Sequence, residues 1–238
     1  MITGALLKLL SVVDPGRARL LRLRLDHLTY LSLKDLTNLQ AAVRDVERNN
    51  IEGVFIEAGC ALGGSAIAIS TAKDPQREFF VYDTFEMIPP PSERDLADVH
   101  ERYEVIVSGK AKGIGSDPYY GYVENLKLVV EQNLGRYGFD LRRHNISLEK
   151  GFFEDTLHVT GPVAFAHIDC DWYDSVMTCL RRIEPNLSKG GVMVFDDYYV
   201  WSGCRLAVDE YFEGRKEDYA ISPVHNKLHI RRLKGTGV

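Results

Sequence analysis

The amino-acid sequence predicts a doubly wound α/β domain whose mostly parallel, seven-stranded sheet ends in an antiparallel strand pair. Three observations carry that prediction. Short apolar runs recur along the chain, separated by stretches with helical periodicity. Those runs are continuous rather than alternating, as expected of parallel strands covered on both faces. Glycines and carboxylates gather where the runs end, which is where doubly wound sheets bind ligands.

The elements follow in order. Residues 1–50 form an N-terminal helical segment. Its first part, Ile2–Val13, is apolar but is interrupted by Lys8 and too short to span a bilayer. No small-residue cleavage site follows it. With Arg17, Arg19, Arg22 and Arg24 it has a basic amphipathic character, read here as packing on a second copy of the chain in preference to a membrane surface. Ser32 and Asp35 read as a capping box that opens a helix to about Arg48, with Leu36, Leu39, Val43 and Val46 on one face.

Gly53–Gly59 reads as a buried strand running into a glycine-rich turn, and Ser65–Ala72 as the helix after it. Further strands are expected at Glu78–Asp83, Asn145–Glu149, Val163–Asp169 and Gly191–Phe195, with helices around Ser175–Leu187 and Arg205–Phe212. The tail from Tyr219 makes a hairpin with Asn226 in the turn. Residues 89–140 break the rhythm and read as a lid-like insertion carrying Tyr119, Tyr120 and Tyr122. Within it, GKAKGIG lacks the GK[ST] of a phosphate loop and follows no strand.

Composition narrows the function. At 238 residues the chain suits a single domain, and its 45% hydrophobic content suits an ordinary globule. A net charge of −5 argues against nucleic acid as a partner. Cys60, Cys170, Cys179 and Cys204 form neither a CxxC pair nor a zinc spacing, so a reducing cytoplasm is the simplest setting.

The turn EAGCALGGS, Glu57 to Ser65, is the most informative stretch. Gly59, Gly63 and Gly64 allow close backbone approach to a ligand, but the spacing is not GxGxxG. An acid ahead of the first glycine suits a cationic ligand, and S-adenosylmethionine carries an ammonium and a sulfonium. Asp83 ends the next strand, where an acid commonly takes a ribose diol. Each feature alone could be an ordinary turn with a capping acid. In this order they favour an adenosine-bearing cofactor.

The ordered set E-x-G-x-x-x-G-G-S, VYDTFEMIPPPSERD, GFFEDTL, HIDCDWYDS, GGVMVFDDYY and CRLAVDEYF resembles the macrocin O-methyltransferase (TylF-type) family over roughly Leu28 to Phe212. The resemblance implies a class I methyltransferase, Rossmann-like fold, with S-adenosylmethionine and a divalent metal, usually magnesium, used to methylate hydroxyls of sugars on natural products. It implies cofactor contacts at Glu57, Gly59, Gly63 and Ser65, the ribose at Asp83, and adenine beside Gly151 and Phe152. LTYLSL looks like a family segment that folds over the cofactor, which brings in Thr29 and Tyr30. Met87 stands where the family often has glycine.

Asp169, Asp196 and Asp197 end two strands expected to be neighbours. Three carboxylates gathered there form a hard-ligand site suited to Mg²⁺ or Mn²⁺, and a cation would relieve their repulsion. The resemblance points to the same three residues. Singly, Asp196–Asp197 could cap the next segment and Asp169 could pair with an arginine. Asp171 is left over and is assigned as general base, in agreement with the resemblance. Trp172 and Tyr198 flank the acids as expected sugar contacts. His167, in an apolar strand, reads as a core histidine.

The sequence therefore predicts an S-adenosylmethionine- and Mg²⁺-dependent O-methyltransferase acting on a small-molecule or glycan hydroxyl. A catechol acceptor, an NAD-dependent dehydrogenase and a silent cofactor-binding module are the competing readings.

Overall fold

The computed structural model describes residues 12–234. Of the apolar run Ile2–Val13, all but Val12 and Val13 lie outside the described residues. Helix α1 (Pro15–Leu25) is capped by Asp14, whose carboxylate accepts the Arg17 N–H at 2.9 Å. Two of the basic residues of α1, Arg19 and Arg24, fold back on their own chain. Arg24 donates to the Leu31 carbonyl, and Arg19 lies 5.7 Å from the Phe139 ring centroid. Among the described residues no helix is long and apolar enough to cross a membrane.

Helix α2 (Leu33–Arg48) begins with the expected capping box. Ser32 Oγ accepts the Asp35 N–H at 3.1 Å, and Asp35 Oδ2 accepts the Ser32 N–H at 3.2 Å. Then come β1 (Val54–Ala58), α3 (Gly64–Ala72), β2 (Phe79–Asp83), α4 (Ala97–Val107), α5 (Leu126–Arg136), β3 (Ile146–Lys150), the one-turn α6 (Phe153–Thr156), β4 (Val163–Ile168), α7 (Tyr173–Ile183), β5 (Leu187–Phe195), α8 (Ser202–Tyr211), β6 (Tyr219–Val224) and β7 (Lys227–Arg232).

The strands form one sheet in the order β3-β2-β1-β4-β5-β7-β6. All neighbours are parallel except β5–β7 and β6–β7. Strand order reverses between β1 and β4, so their carboxyl ends frame the crevice where doubly wound folds bind ligands. One apolar layer packs α2, α3 and α5 on the sheet through residues such as Leu36, Val43, Ile67, Val130 and Leu134. The other packs α7 and α8 through Val176, Leu180, Ala207 and Val208.

Two boundaries and one helix depart from the sequence expectation. Strand β5 starts at Leu187, not Gly191, because Leu187 pairs with Val163 across β4. Its polar, glycine-containing start carried no strand signal; the tertiary pairing imposes it. Helix α7 gives way after Ile183 to a 3₁₀ turn, Glu184–Asn186, because Pro185 has no N–H with which to continue the α-helical hydrogen bonds. Within 89–140, Leu126, Val130 and Leu134 are fully buried on the sheet, so α5 is the crossover helix between β2 and β3.

Candidate active site

Two cavities meet at the crevice. One, of about 250 Å³, is walled by Asp83, Gly151, Phe152 and Trp172. The other, of about 320 Å³, is walled by Thr29, Tyr30, Ser65, Asp196 and Asp197. Gly59, Asp83, Tyr120, Asp169 and Asp171 border both, so the two form one bipartite site.

The turn after β1 is built around close contacts. Gly59 has φ +87°, and a Cβ there would sit 1.9 Å from the Asp169 carbonyl oxygen. A Cβ on Gly64 would sit 2.3 Å from the Leu28 carbonyl, which shows how tightly the Leu28–Leu31 segment lies over the start of α3. Asp83 is drawn into the same turn. Its Oδ2 accepts the N–H groups of Cys60 (2.8 Å) and Ala61 (3.3 Å), and its Oδ1 accepts that of Phe85 (2.7 Å).

Thr29, Ser65, Gly151 and Phe152 thus stand on the cavity walls, as does Tyr30, which is 51% exposed and meets Tyr120 edge-on. Glu57 and Gly63, expected to touch the cofactor, lie behind the wall. Glu57 is fully buried, and its Oε1 is 2.9 Å from His167 Nδ1; Gly63 packs against Val130.

The acids gather as β4 and β5 end side by side, with Ile168 opposite Phe195. The Asp196 N–H donates to the Ile168 carbonyl at 3.0 Å. Carboxylate oxygens of Asp169, Asp171 and Asp197 lie within 4.8 Å of one another, and so do ligand atoms of His167, Asp169 and Asp196. Asp171 holds a left-handed backbone, φ +59°, which aspartate tolerates better than most residues. Strain of this kind concentrates at functional sites.

Asp196 differs from its neighbours in being compensated already. Lys227 Nζ donates to its Oδ2 at 2.5 Å and to its carbonyl at 2.9 Å, while His167 Nε2 stands 3.7 Å from Oδ1. Burial alone would raise the Asp196 pKa, but His167 and Lys227 hold it below the usual carboxylate range. His167 is the counterpart. Burial would lower its pKa, yet Asp196 and Glu57 raise it to about 10, so this core histidine is a buried cation.

The remaining acids are pushed the other way. Burial, then the charges of Asp196 and Asp197, raise Asp169 well above its ordinary value. Burial, then Asp171 and Asp196, do the same to Asp197. Asp171 is raised to about 7, by burial and then by Asp169. Asp196 Oδ1 and Asp197 Oδ2 are buried with no hydrogen-bond partner among the described residues. Hard oxygen donors that repel one another and lack partners fit a divalent ion of the Mg²⁺ or Mn²⁺ type.

This arrangement gives stability a definite pH dependence in the presence of chelator. From pH 5 to about 7 the native state holds on Asp171 a proton that the unfolded chain has released, and the raised Asp169 and Asp197 act in the same direction. His167 likewise keeps its proton in the native state up to about 10. Native protons in excess mean that stability falls as pH rises. The depressed Asp196 acts only below this window, and His229, which burial lowers to about 4, offsets one of these protons up to the ordinary histidine range. Thermal melting with chelator is expected to drop steadily from pH 5 to 8; a melting temperature that rises over that range would contradict the charge assignment.

Trp172 and Tyr198, expected as sugar contacts, fare differently. Trp172 borders the first cavity but is 2% exposed, with its indole N–H donated to the Pro89 carbonyl at 3.0 Å. Tyr198 is on neither wall. Its hydroxyl donates to Asp209 at 2.7 Å, because residues after Asp197 turn toward α8. Side chains passed over in the sequence line the acid cavity instead: Arg102 and Trp201, beside Tyr119 and Tyr120.

A family model described as macrocin-O-methyltransferase (TylF) matches residues 26–228. The chain is 33% identical over 216 residues to the 8-demethyl-8-(2,3-dimethoxy-alpha-L-rhamnosyl)-tetracenomycin-C 4'-O-methyltransferase of Streptomyces olivaceus, covering 88% of this chain and 74% of that one. It is 31% identical over 195 residues to the demethyldecarbamoylnovobiocin O-methyltransferase of Streptomyces niveus, covering 77% and 67%. The structure of the O-methyltransferase NovP superposes with a TM-score of 0.70 at 25% identity, over 87% of this chain and 83% of that one. The family match, the identities and the shared fold agree: the chain is an S-adenosylmethionine-dependent O-methyltransferase and belongs to the macrocin O-methyltransferase (TylF) family.

Proposed function

We propose that this enzyme methylates a hydroxyl of a glycosyl unit, with Mg²⁺ or Mn²⁺ held by Asp169, Asp196 and Asp197 and with Asp171 as general base. The observation that carries the reading is the meeting of these four carboxylates at the tips of β4 and β5, beside the glycine turn. The sugar is supported by the tetracenomycin relative, whose name specifies a rhamnosyl unit.

In this reading the donor spans the bipartite site. Asp83, Gly151 and Phe152 receive its adenosine, while Thr29, Tyr30 and Ser65 receive its methionine end under the Leu28–Leu31 segment. Glu57 acts from behind the wall, fixing His167 and through it Asp196. Lys227 holds the outer oxygen of Asp196, which leaves Oδ1 for the cation. A divalent ion, when bound, supplies Lewis acidity and cancels the mutual repulsion of the acids. As the acceptor oxygen attacks the sulfonium methyl, the O–C bond forms and the C–S electron pair returns to sulfur. Asp171 takes the hydroxyl proton. The same reading has residues 89–123 serving as a cover over the acceptor, the N-terminal helices meeting a second copy, and the enzyme working in the cytoplasm.

The test is a mass-shift screen with S-adenosylmethionine over glycosides, nucleotide-linked sugars and simple catechols, with and without chelator. A gain of one methylene on sugar hydroxyls, abolished by chelator and restored by Mg²⁺, is expected. Turnover confined to catechols, or indifferent to chelator, would refute the reading.

A further inference from the structure

Among the described residues, Arg102 is the single cation on the walls of the two cavities, and the methyl-transfer chemistry leaves it unused. It is placed there firmly. Helix α4 is fastened at its start: Asp98 accepts the Ser202 N–H at 3.0 Å at the head of α8, and the nearby Asp95 accepts the Tyr173 N–H at 2.8 Å at the head of α7. Arg102 follows Asp98 by one turn on the same inner face, and Ile106, 1% exposed, follows by another. Glu101, Glu104 and Val105 take the outer, solvent face.

An arginine on the docked face of a helix normally pairs with an acid, since an unpaired charge there loses hydration without return. Among the described residues Arg102 makes no ion pair and no hydrogen bond. Its guanidinium lies over the Tyr119 ring, 5.5 Å from the centroid, which steadies the group without using its N–H donors. A planar fork of donors held in this way matches a carboxylate or a phosphate.

We propose that Arg102 anchors an anionic group of the acceptor, a carboxylate or phosphate, while the sugar hydroxyl lies at Asp171. The proposal rests on the sugar O-methyltransferase reading and narrows it to acidic or phosphate-bearing sugars, nucleotide-linked sugars among them. The donor's own carboxylate has other partners within reach, namely Thr29, Ser65 and the N–H groups that open α3.

The experiment uses the full-length enzyme saturated with Mg²⁺ and S-adenosylhomocysteine, titrated calorimetrically with inorganic phosphate. Wild type is compared with Arg102→Gln and Arg102→Lys, with melting curves confirming that each variant folds. Loss of a charge-assisted hydrogen bond should weaken phosphate binding about tenfold or more in Arg102→Gln, with partial recovery in Arg102→Lys. S-adenosylhomocysteine affinity should stay within a factor of about two. If that affinity falls tenfold while phosphate binding is unchanged, the anchor serves the donor and the proposal fails. If neither changes, Arg102 is only a neighbour of the acids and the proposal fails as well. Wild-type binding of Mg²⁺ and S-adenosylhomocysteine, measured in separate titrations of the ligand-free enzyme, reports on the methyltransferase reading.

Discussion

Asp171→Asn should cut turnover by about 10²–10⁴-fold, the usual contribution of a positioned general base. That corresponds to about 3–5 kcal/mol of transition-state stabilisation. The substitution is chosen for the backbone as well as the charge. Asp171 sits at φ +59°, and asparagine is among the few residues at home there, so the turn should survive. Asparagine also relieves the repulsion among Asp169, Asp171 and Asp197, so affinity for S-adenosylhomocysteine should not fall. Some rate should remain, because alignment of donor and acceptor contributes on the order of 7–11 kcal/mol by itself. Single-turnover rates and calorimetry on the same preparation decide the matter. Turnover within a factor of about three of wild type would remove Asp171 from the chemistry.

The second large effect is expected at Lys227. Its ammonium holds Asp196 through both a carboxylate oxygen and the carbonyl, and each side chain of the pair is only 11% exposed. Breaking such a pair from one side strands a buried charge and costs about 3–5 kcal/mol. Lys227→Met keeps the apolar stem and removes only the cation. In chelator it should melt well below wild type, by roughly 6–20 °C for a chain of this size. Mg²⁺ should restore more of this loss in the variant than it adds to wild type, since the ion then supplies the missing countercharge. The double variant Lys227→Met/Asp196→Asn should recover at least half of the lost stability, because the stranded charge has gone. A loss below about 1 kcal/mol for Lys227→Met would mean that the pair behaves as an exposed one.

Lys227 also shows where the sequence was silent. The acids could be read from spacing, because strands β4 and β5 each end in them and parallel neighbours bring their tips together. Nothing in the spacing tied residue 227 to residue 196. That contact exists because β7 runs antiparallel beside β5, with Phe195 opposite Leu228. The hairpin tip is held further by His225, whose Nδ1 lies 2.6 Å from Asp35. Asp35, legible only as half of a capping box, therefore also ties the C-terminal hairpin to the head of α2.

The same contrast runs through the rest of the site. Gly59, Ser65, Asp83 and Gly151 could be placed because turns at strand ends carry strong local signals. Tyr198 could not, since an aromatic beside an acid carries no indication of which way the chain turns after Asp197. Helix α5 was legible in the i, i+4, i+8 spacing of Leu126, Val130 and Leu134, but surrounding prolines and glycines obscured it. Arg102 looked like one more charge in a charged helix. Only the docking of α4 through Asp95 and Asp98 turns it inward.

The most direct measurement is anomalous diffraction from crystals of the S-adenosylhomocysteine complex equilibrated with Mn²⁺. One peak is predicted at the tips of β4 and β5, touching Asp169, Asp197 and the free oxygen of Asp196, with Lys227 still on the other. Saturating Mn²⁺ that leaves those oxygens without a peak, or a peak at some other cluster, would contradict the account.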